Sequence, residues 1–299
     1  MRIAILGAAG LIGHKLLEKM TDRFEDVFGL VRKPRAAFPF LRNFSEDRIF
    51  DNVDVRNFEY LTGMLRVIDM DVILNCVGIT KRRPEIKDWL TAIDVNSMFP
   101  HRLANWAAEH GKRVIHFSTD CVFDGELGNY NEDSVTTGRD AYGRTKALGE
   151  IRYDHSLTIR SSFIGRELAE FSELLEWFLA QRGPKIRGFR QAWYSGISTI
   201  EMARIVGDII ELHPDLNGLY QLSMSEPINK FDLLCLARDA FGRDIEIEPD
   251  DSFITYPTLD SSRLRQKMPI ELPTWPEMMA ALAAEKVYDS IHQPASVMA

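Results

Sequence analysis

Short apolar runs alternate with stretches whose apolar residues recur at helical spacing through the first half of the chain, which is the pattern of strands and amphipathic helices in turn. Ile3 to Leu6 reads as a first strand and Leu11 to Met20 as its helix, with Leu11, Leu16, Leu17 and Met20 on the packed side. Val27 to Val31 reads as the second strand, Arg48 to Phe50 as the third and Val72 to Asn75 as the fourth, with a helix over 58–68 between the last two. A long helical pattern from Glu85 to His110 leads to a fifth strand at Val114 to Phe117, and Leu157 to Ile159 is the sixth. Strands and helices in this alternation predict an α/β fold, a parallel sheet wound on both faces. Beyond residue 160 the pattern loosens into helices near 170–181, 199–212, 229–241 and 275–285, with short strands between.

The chain of 299 residues therefore divides into a doubly wound core over 1–160 and a smaller C-terminal α/β lobe over 161–285, whose segments can return to the core. Residues 286–299 carry little periodicity and read as a tail. Apolar residues make up 45% and charged residues 27%, the balance of an ordinary globular protein. No apolar run approaches the roughly 20 residues that span a bilayer, and the first strand begins at once, leaving no room for a signal peptide. A cytoplasmic protein without membrane contact is expected. Cys76, Cys121 and Cys235 are too scattered for a disulfide framework, and neither they nor the seven histidines have metal-ligand spacing, so no metal is expected. A net charge of −8 argues against nucleic acid as partner. The cluster Lys81-Arg82-Arg83 is a local exception, suited either to a phosphate or to solvent.

Between the first strand and its helix stands Gly7-Ala8-Ala9-Gly10-Leu11-Ile12-Gly13. Glycines at this spacing let the backbone turn sharply and approach a pyrophosphate, whose charge then sits at a helix N-terminus. Gly7, Gly10, Leu11, Ile12 and Gly13 are thus candidate cofactor-binding residues. The second strand ends in Val31-Arg32-Lys33, where a chain selective for NAD usually carries an acid for the ribose hydroxyls. Arg32 and Lys33 suit a 2′-phosphate instead, so NADP(H) is the expected cofactor, with NAD(H) accepted by many folds of this kind. Farther on, Tyr142 and Lys146 stand four apart on a predicted helix and share one face, downstream of Ser118-Thr119 at a strand end. A cation beside a phenol favours the phenolate, which predicts a lowered pKa for Tyr142. Nucleotide loop, then Ser-Thr, then Tyr-x-x-x-Lys, in that order, point to a nicotinamide-dependent oxidoreductase.

The stretch Phe117 to Gly125 resembles the S-T-D-Y-V-F-D-G signature of the dTDP-4-dehydrorhamnose reductase-like branch of the extended short-chain dehydrogenase/reductase family, with Cys121 where that signature has tyrosine. Ala141 to Glu150 is similar to its Y-G-x-[ST]-K-x-x-G-E helix. Asp54-Val55 resembles the family's adenine-contacting pair, Asn75-Cys76-Val77-Gly78 its turn beneath the cofactor, and Asp94-Val95-Asn96 its helix asparagine. Ile159 to Phe163 resembles its R-[TS]-S-W segment with Phe163 for the tryptophan, and Leu259 to Leu264 a late L-D-x-[ST]-K-L segment. The likeness runs over about residues 1–285.

This resemblance implies an NAD(P)-binding Rossmann fold with a C-terminal substrate lobe. It implies NADPH-dependent reduction of a keto group on a nucleotide-linked deoxy sugar, in the supply of cell-surface polysaccharide precursors. Tyr142 would donate the proton, Lys146 would hold the cofactor ribose, and Thr119 would hydrogen-bond the carbonyl oxygen. Asp54, Val55, Cys76, Val77, Gly78, Asn96 and Ser162 join Tyr142 and Lys146 at the cofactor. Thr80, Thr119, Asp120, Cys121, Phe163, Arg166, Arg187, Gln191 and Trp193 are candidates for the nucleotide-sugar substrate, with Cys121 lining a pocket and not acting as a nucleophile. Both departures, Cys121 and Phe163, bear on which sugar fits. Two alternatives stand beside the reductase. One is an epimerase or 4,6-dehydratase of the same fold, although dehydratases usually follow the threonine with Asp-Glu and here Asp120-Cys121 stands there. The other is a non-catalytic NADP-binding regulatory subunit. A homodimer through the helices at 85–110 and 142–153 is implied as well.

Overall fold

The computed structural model describes residues 1–285 and Tyr288; the tail read over 286–299 otherwise lies outside the described residues. Its strands are β1 (Arg2–Leu6), β2 (Asp26–Leu30), β3 (Ile49–Phe50), β4 (Val72–Asn75), β5 (Arg113–Ser118), β6 (Ser156–Arg160), β7 (Phe163–Ile164), β8 (Lys185–Phe189), β9 (Trp193–Tyr194), β10 (Ile197–Ser198), β11 (Gly218–Gln221), β12 (Ile228–Asn229) and β13 (Glu246–Asp250). The helices are α1 (Gly13–Thr21), α2 (Phe58–Ile68), α3 (Trp89–Ile93), α4 (Phe99–Glu109), α5 (Ala141–Leu148), α6 (Leu174–Leu179), α7 (Thr199–Leu212), α8 (Lys230–Ala240), α9 (Ser262–Arg265) and α10 (Trp275–Ala283).

Seven strands form one parallel sheet in the order β3-β2-β1-β4-β5-β6-β11, the doubly wound topology whose ligands bind where the strand order reverses, beside β1 and β4. The period of two along each strand sorts the core into two halves. Ile3 and Ile5 face Leu16, Leu17, Val206 and Ile209 of α1 and α7, whereas Ala4 and Leu6 face Leu61 and Leu65 of α2 and Leu103 and Trp106 of α4. Outside this sheet, the strand pairs β7 and β10, β8 and β13, and β9 and β12 build the second lobe.

Three stretches differ from the sequence expectation. The helix expected from Leu11 begins only at Gly13, because residues 7–10 close a turn in which Gly10 N–H donates to the Gly7 carbonyl at 2.9 Å. The long pattern from Glu85 to His110 is broken: Asp88 caps α3, and the residues from Asp94 to Met98 form a π-helical turn before α4. The helix expected near 170–181 is confined to α6, since Glu170 and Phe171 adopt φ of 71° and 46°, which no right-handed helix admits. The seventh strand, β11, carries the second half of the chain back into the core sheet.

Candidate active site

The loop after β1 is shaped by two glycines. Gly7 has φ +77°, and a Cβ on Gly13 would lie 2.2 Å from the Gly7 carbonyl oxygen, so the turn can close only without side chains there. No side chain caps the N-terminus of α1; His14 N–H donates to the Gly10 carbonyl at 3.1 Å, and the remaining first-turn N–H groups are directed to whatever occupies the turn. Before this turn lies a cleft of about 320 Å³ lined by Gly7, Gly10, Leu11, Arg32, Lys33, Asp54, Val55, Cys76, Val77 and Gly78. Ten of the residues expected at the cofactor thus share one wall. Ile12 is buried at the start of α1, behind that wall. A backbone that no Cβ would allow, free helix N–H groups and a cationic rim at Arg32 and Lys33 together fit a dinucleotide.

The cations of the rim are paired. Arg32 lies 3.8 Å from Glu85, Lys33 lies 3.4 Å from Glu170, and Arg83 is also bonded to Glu170. Asp54 is held by Arg56 at 2.6 Å, and that guanidinium keeps its carboxyl below the usual range. The basic run after β4 is therefore not merely solvated: Lys81 meets Asp140 at 2.7 Å and Arg82 meets Glu173 at 3.6 Å. Half-buried Thr80 accepts from Arg83 N–H through its backbone carbonyl. The segment 167–170 of the second lobe thereby reaches across the cleft, whose lining includes Glu167, Leu168, Ala169 and Glu170.

Thr119 follows directly after β5, outside the cleft lining. Its hydroxyl accepts from Cys121 N–H at 3.1 Å and lies 3.0 Å from Asp120 Oδ1, so it caps the turn over 120–122. Helix α5 is capped by Asp140, which accepts from Gly143 N–H at 2.7 Å. A Cβ on Gly143 would stand 2.2 Å from the Cys121 carbonyl, and one on Gly149 would stand 1.9 Å from the Asn96 carbonyl. These two glycines let α5 lie directly on the Thr119 turn and on the π turn, which puts Tyr142 beside Thr119.

Burial pushes the Tyr142 phenol well above its usual pKa, Cys121, Asp120 and Glu173 push the same way, and only the Thr119 hydroxyl opposes them. The expectation of a lowered value thus fails here, because Lys146 is directed elsewhere. Its Nζ donates to the Phe117 carbonyl at 2.6 Å and lies 3.2 Å from His116 Nε2. Burial pulls Lys146 down to about 8, against Glu150 and Cys76, which raise it. Cys121 is pushed up to about 12, first by burial and then by Asp120, so its thiol stays neutral.

Asn96 is engaged within the protein through both donors and one acceptor position. Its Oδ1 accepts from Ile79 N–H at 2.8 Å, and its Nδ2 donates to the Ile79 carbonyl at 3.0 Å and to Thr145 Oγ1 at 3.1 Å. It pins the loop after β4 to α5, and only a second acceptor position on Oδ1 is left over for a cofactor.

Residues 1–287 match the RmlD substrate binding domain. The chain belongs to that family. Among relatives of this RmlD-domain chain, the methionine adenosyltransferase 2 subunit beta of Xenopus tropicalis is 25% identical over 257 residues, 81% of this chain and 72% of the relative. A dTDP-4-dehydrorhamnose reductase of Aggregatibacter actinomycetemcomitans is 30% identical over 152 residues, half of this chain and 45% of the relative. The solved dTDP-4-dehydrorhamnose reductase of Bacillus anthracis in complex with NADP superposes with a TM-score of 0.75 at 18% identity, covering 94% of this chain and 98% of that one.

The RmlD-family chain places its remaining candidates unevenly. Phe163 packs edge-on against Phe117 at 6.2 Å, next to the Thr119 strand end, and the Ser162 carbonyl accepts from Ile197 N–H. Arg166 is drawn inside the second lobe, its Nε on Glu176 at 2.7 Å and its guanidinium against the rings of Tyr288 and Phe241. That corrects its reading as a substrate cation. Arg187 is exposed on β8 beside Asp250, Trp193 is half-buried on β9, and Gln191 accepts from Tyr256 Oη. Tyr194, the aromatic neighbour of Trp193 and with it a sequence candidate for the substrate lobe, and Lys230, which the sequence did not single out, both sense Asp120 as Tyr142 does. Burial raises the first and lowers the second. No local motif marks Lys230, which sits at the first turn of α8.

Proposed function

We propose that this protein is an NADPH-dependent reductase of a keto group on a nucleotide-linked deoxy sugar, with NADH as a weaker donor. The observation that carries the reading is that Tyr142, with Thr119 beside it and Lys146 one turn on, packs against Ile79 and Val95, which line the cleft that opens at the Gly7 turn. Gly7, Gly10 and Leu11 would hold the pyrophosphate, Arg32 and Lys33 the 2′-phosphate, and Cys76 to Gly78 would form the floor. A bound nicotinamide supplies the hydride. The protein's own part is to hold a proton at Tyr142 Oη, where burial keeps it in place, and to orient the carbonyl oxygen through Thr119. Phe163, Cys121, Tyr194 and Lys230 would surround the sugar, and the 161–285 lobe would be the substrate side. No helix among the described residues is long and apolar enough to cross a membrane, which suits a cytoplasmic enzyme of polysaccharide precursor supply.

One observation favours a second reading. The match to the methionine adenosyltransferase subunit spans 81% of this chain, more than the 50% matched to the reductase of Aggregatibacter actinomycetemcomitans, which supports a regulatory subunit. Oxidation of NADPH and NADH with dTDP-, UDP- and GDP-linked 4-keto-6-deoxy sugars decides between them. Turnover with NADPH, weaker with NADH, supports the reductase. Tight NADPH binding without turnover on any of them supports the subunit.

A further inference from the structure

Asn75 and His116 are cross-strand partners at the ends of β4 and β5, and both side chains are buried. The Asn75 amide is oriented by the backbone: Oδ1 accepts from Val77 N–H at 3.2 Å, which turns Nδ2 toward His116 Nδ1 at 3.1 Å. An amide nitrogen only donates, so Nδ1 is the ring nitrogen without a hydrogen. Burial, the largest cause, holds His116 well below its usual pKa and hence neutral. The ring hydrogen of a neutral imidazole then sits on Nε2, and Nε2 is the atom 3.2 Å from Lys146 Nζ. An ammonium cannot accept from Nε2–H, because it has only hydrogens to offer. A neutral amine can, while it still donates to the Phe117 carbonyl.

We propose that Asn75 and His116 form a tautomer lock that favours the neutral amine of Lys146 in the cofactor-free protein, and that Lys146 takes up a proton when cofactor binding draws it off the ring. His116 and Asn75 are positioning residues in this scheme, acting through Lys146. The groups facing Nζ are His116 and the Phe117 carbonyl from β5, Cys76 after β4, and Glu150 beyond the end of α5. Burial keeps the Cys76 thiol protonated, and Glu150 is already engaged by Ser118 at 2.7 Å and by Arg160 at 2.7 and 2.8 Å. The lock rests on this geometry and on the burial of His116, and its release rests on the nicotinamide reading above.

The two halves are tested separately. Proton–nitrogen correlation spectra of the free protein, with His116→Gln assigning the ring, are expected to show Nε2 protonated and Nδ1 bare above pH 8, where the amine form of Lys146 prevails, with a step near pH 8 as Lys146 titrates. In Asn75→Asp a carboxylate accepts from Nδ1–H and still serves Val77, so the tautomer reverses and Lys146 stays charged. A wild-type ring protonated on Nδ1, or an unchanged tautomer in Asn75→Asp, overturns the lock. Calorimetry of NADPH binding in buffers of different ionisation heat reads the release. At pH 8, where Lys146 is half protonated, uptake of about half a proton per cofactor is expected, and above that pH Kd should rise by up to about tenfold per pH unit. Asn75→Asp should lose both effects. Wild-type binding without proton uptake overturns the release, whereas no NADPH binding beside the stated tautomer overturns the nicotinamide reading and leaves the lock supported.

Discussion

Behind the candidate site, Glu150 joins the ends of β5, β6 and α5. Its carboxylate takes Ser118 Oγ at 2.7 Å on Oε1, with Arg160 Nε at 2.8 Å on that oxygen and Arg160 Nη2 at 2.7 Å on Oε2. The side chains of Arg160 and Glu150 are 0% and 3% exposed, and the guanidinium lies over the Phe123 ring at 4.9 Å. Water therefore cannot replace a lost carboxylate. Glu150→Gln keeps the volume but removes the charge, and its NH₂ opposes one of the Arg160 donors. Breaking a buried pair by removing one partner costs about 3–5 kcal/mol, because the other charge remains buried. For a chain of this size that is a fall in Tm of roughly 6–10 °C. Calorimetric melts should show the fall, and urea titration a lower midpoint at unchanged slope. Replacing both partners, Glu150→Gln with Arg160→Met, removes the stranded charge and should recover most of the loss. A Tm within about 2 °C of wild type for the single variant, or no recovery in the double one, would show that the pair is not the stabilising contact inferred.

Three further outcomes are expected. Tyr142→Phe retains packing against Ile79, Ile86, Ala92 and Val95 but loses the proton donor, so kcat should fall roughly a hundredfold to ten-thousandfold, about 3–5 kcal/mol on the barrier, with Tm nearly unchanged; near-wild-type turnover would remove Tyr142 from the chemistry. Burial raises the Glu167 carboxyl to about 7, so the folded state is penalised for its charge increasingly as pH climbs from about 4.5 to about 7; Glu167→Gln, which can still accept from Glu173 N–H, should melt above wild type at pH 8 and with it at pH 4, and equal melts at both would contradict that burial. Leu90, Met98 and Leu148 are 82%, 52% and 65% exposed on α3, the π turn and α5, which suits a homodimer through these helices; light scattering should report twice the chain mass and Leu148→Glu the single mass, and a wild-type monomer at working concentration would dispose of it.

What the sequence determined by itself is local. Each strand of the first six is a run of apolar residues whose alternation fills both faces of a sheet. Gly7 and Gly13 announce their turn because a Cβ is sterically excluded there, whatever surrounds them. Thr119 and Tyr142 could be singled out because their spacing from a strand end and along a helix is a backbone property. The tertiary structure decided what depends on which surfaces meet. Gly218 to Gln221 joins the main sheet only because β6 offers it an open edge, and nothing within those four residues states that. Asn96 binds Ile79 and Thr145, 17 and 49 residues away, so its hydrogen-bond partners are invisible in its neighbourhood. Arg166 looked like a free cation until Glu176 was folded onto it. Tyr142 was expected to ionise easily from its Lys146 neighbour, but desolvation by the whole site outweighs one helical spacing, and the strand register that sets His116 against Asn75 turns the lysine away.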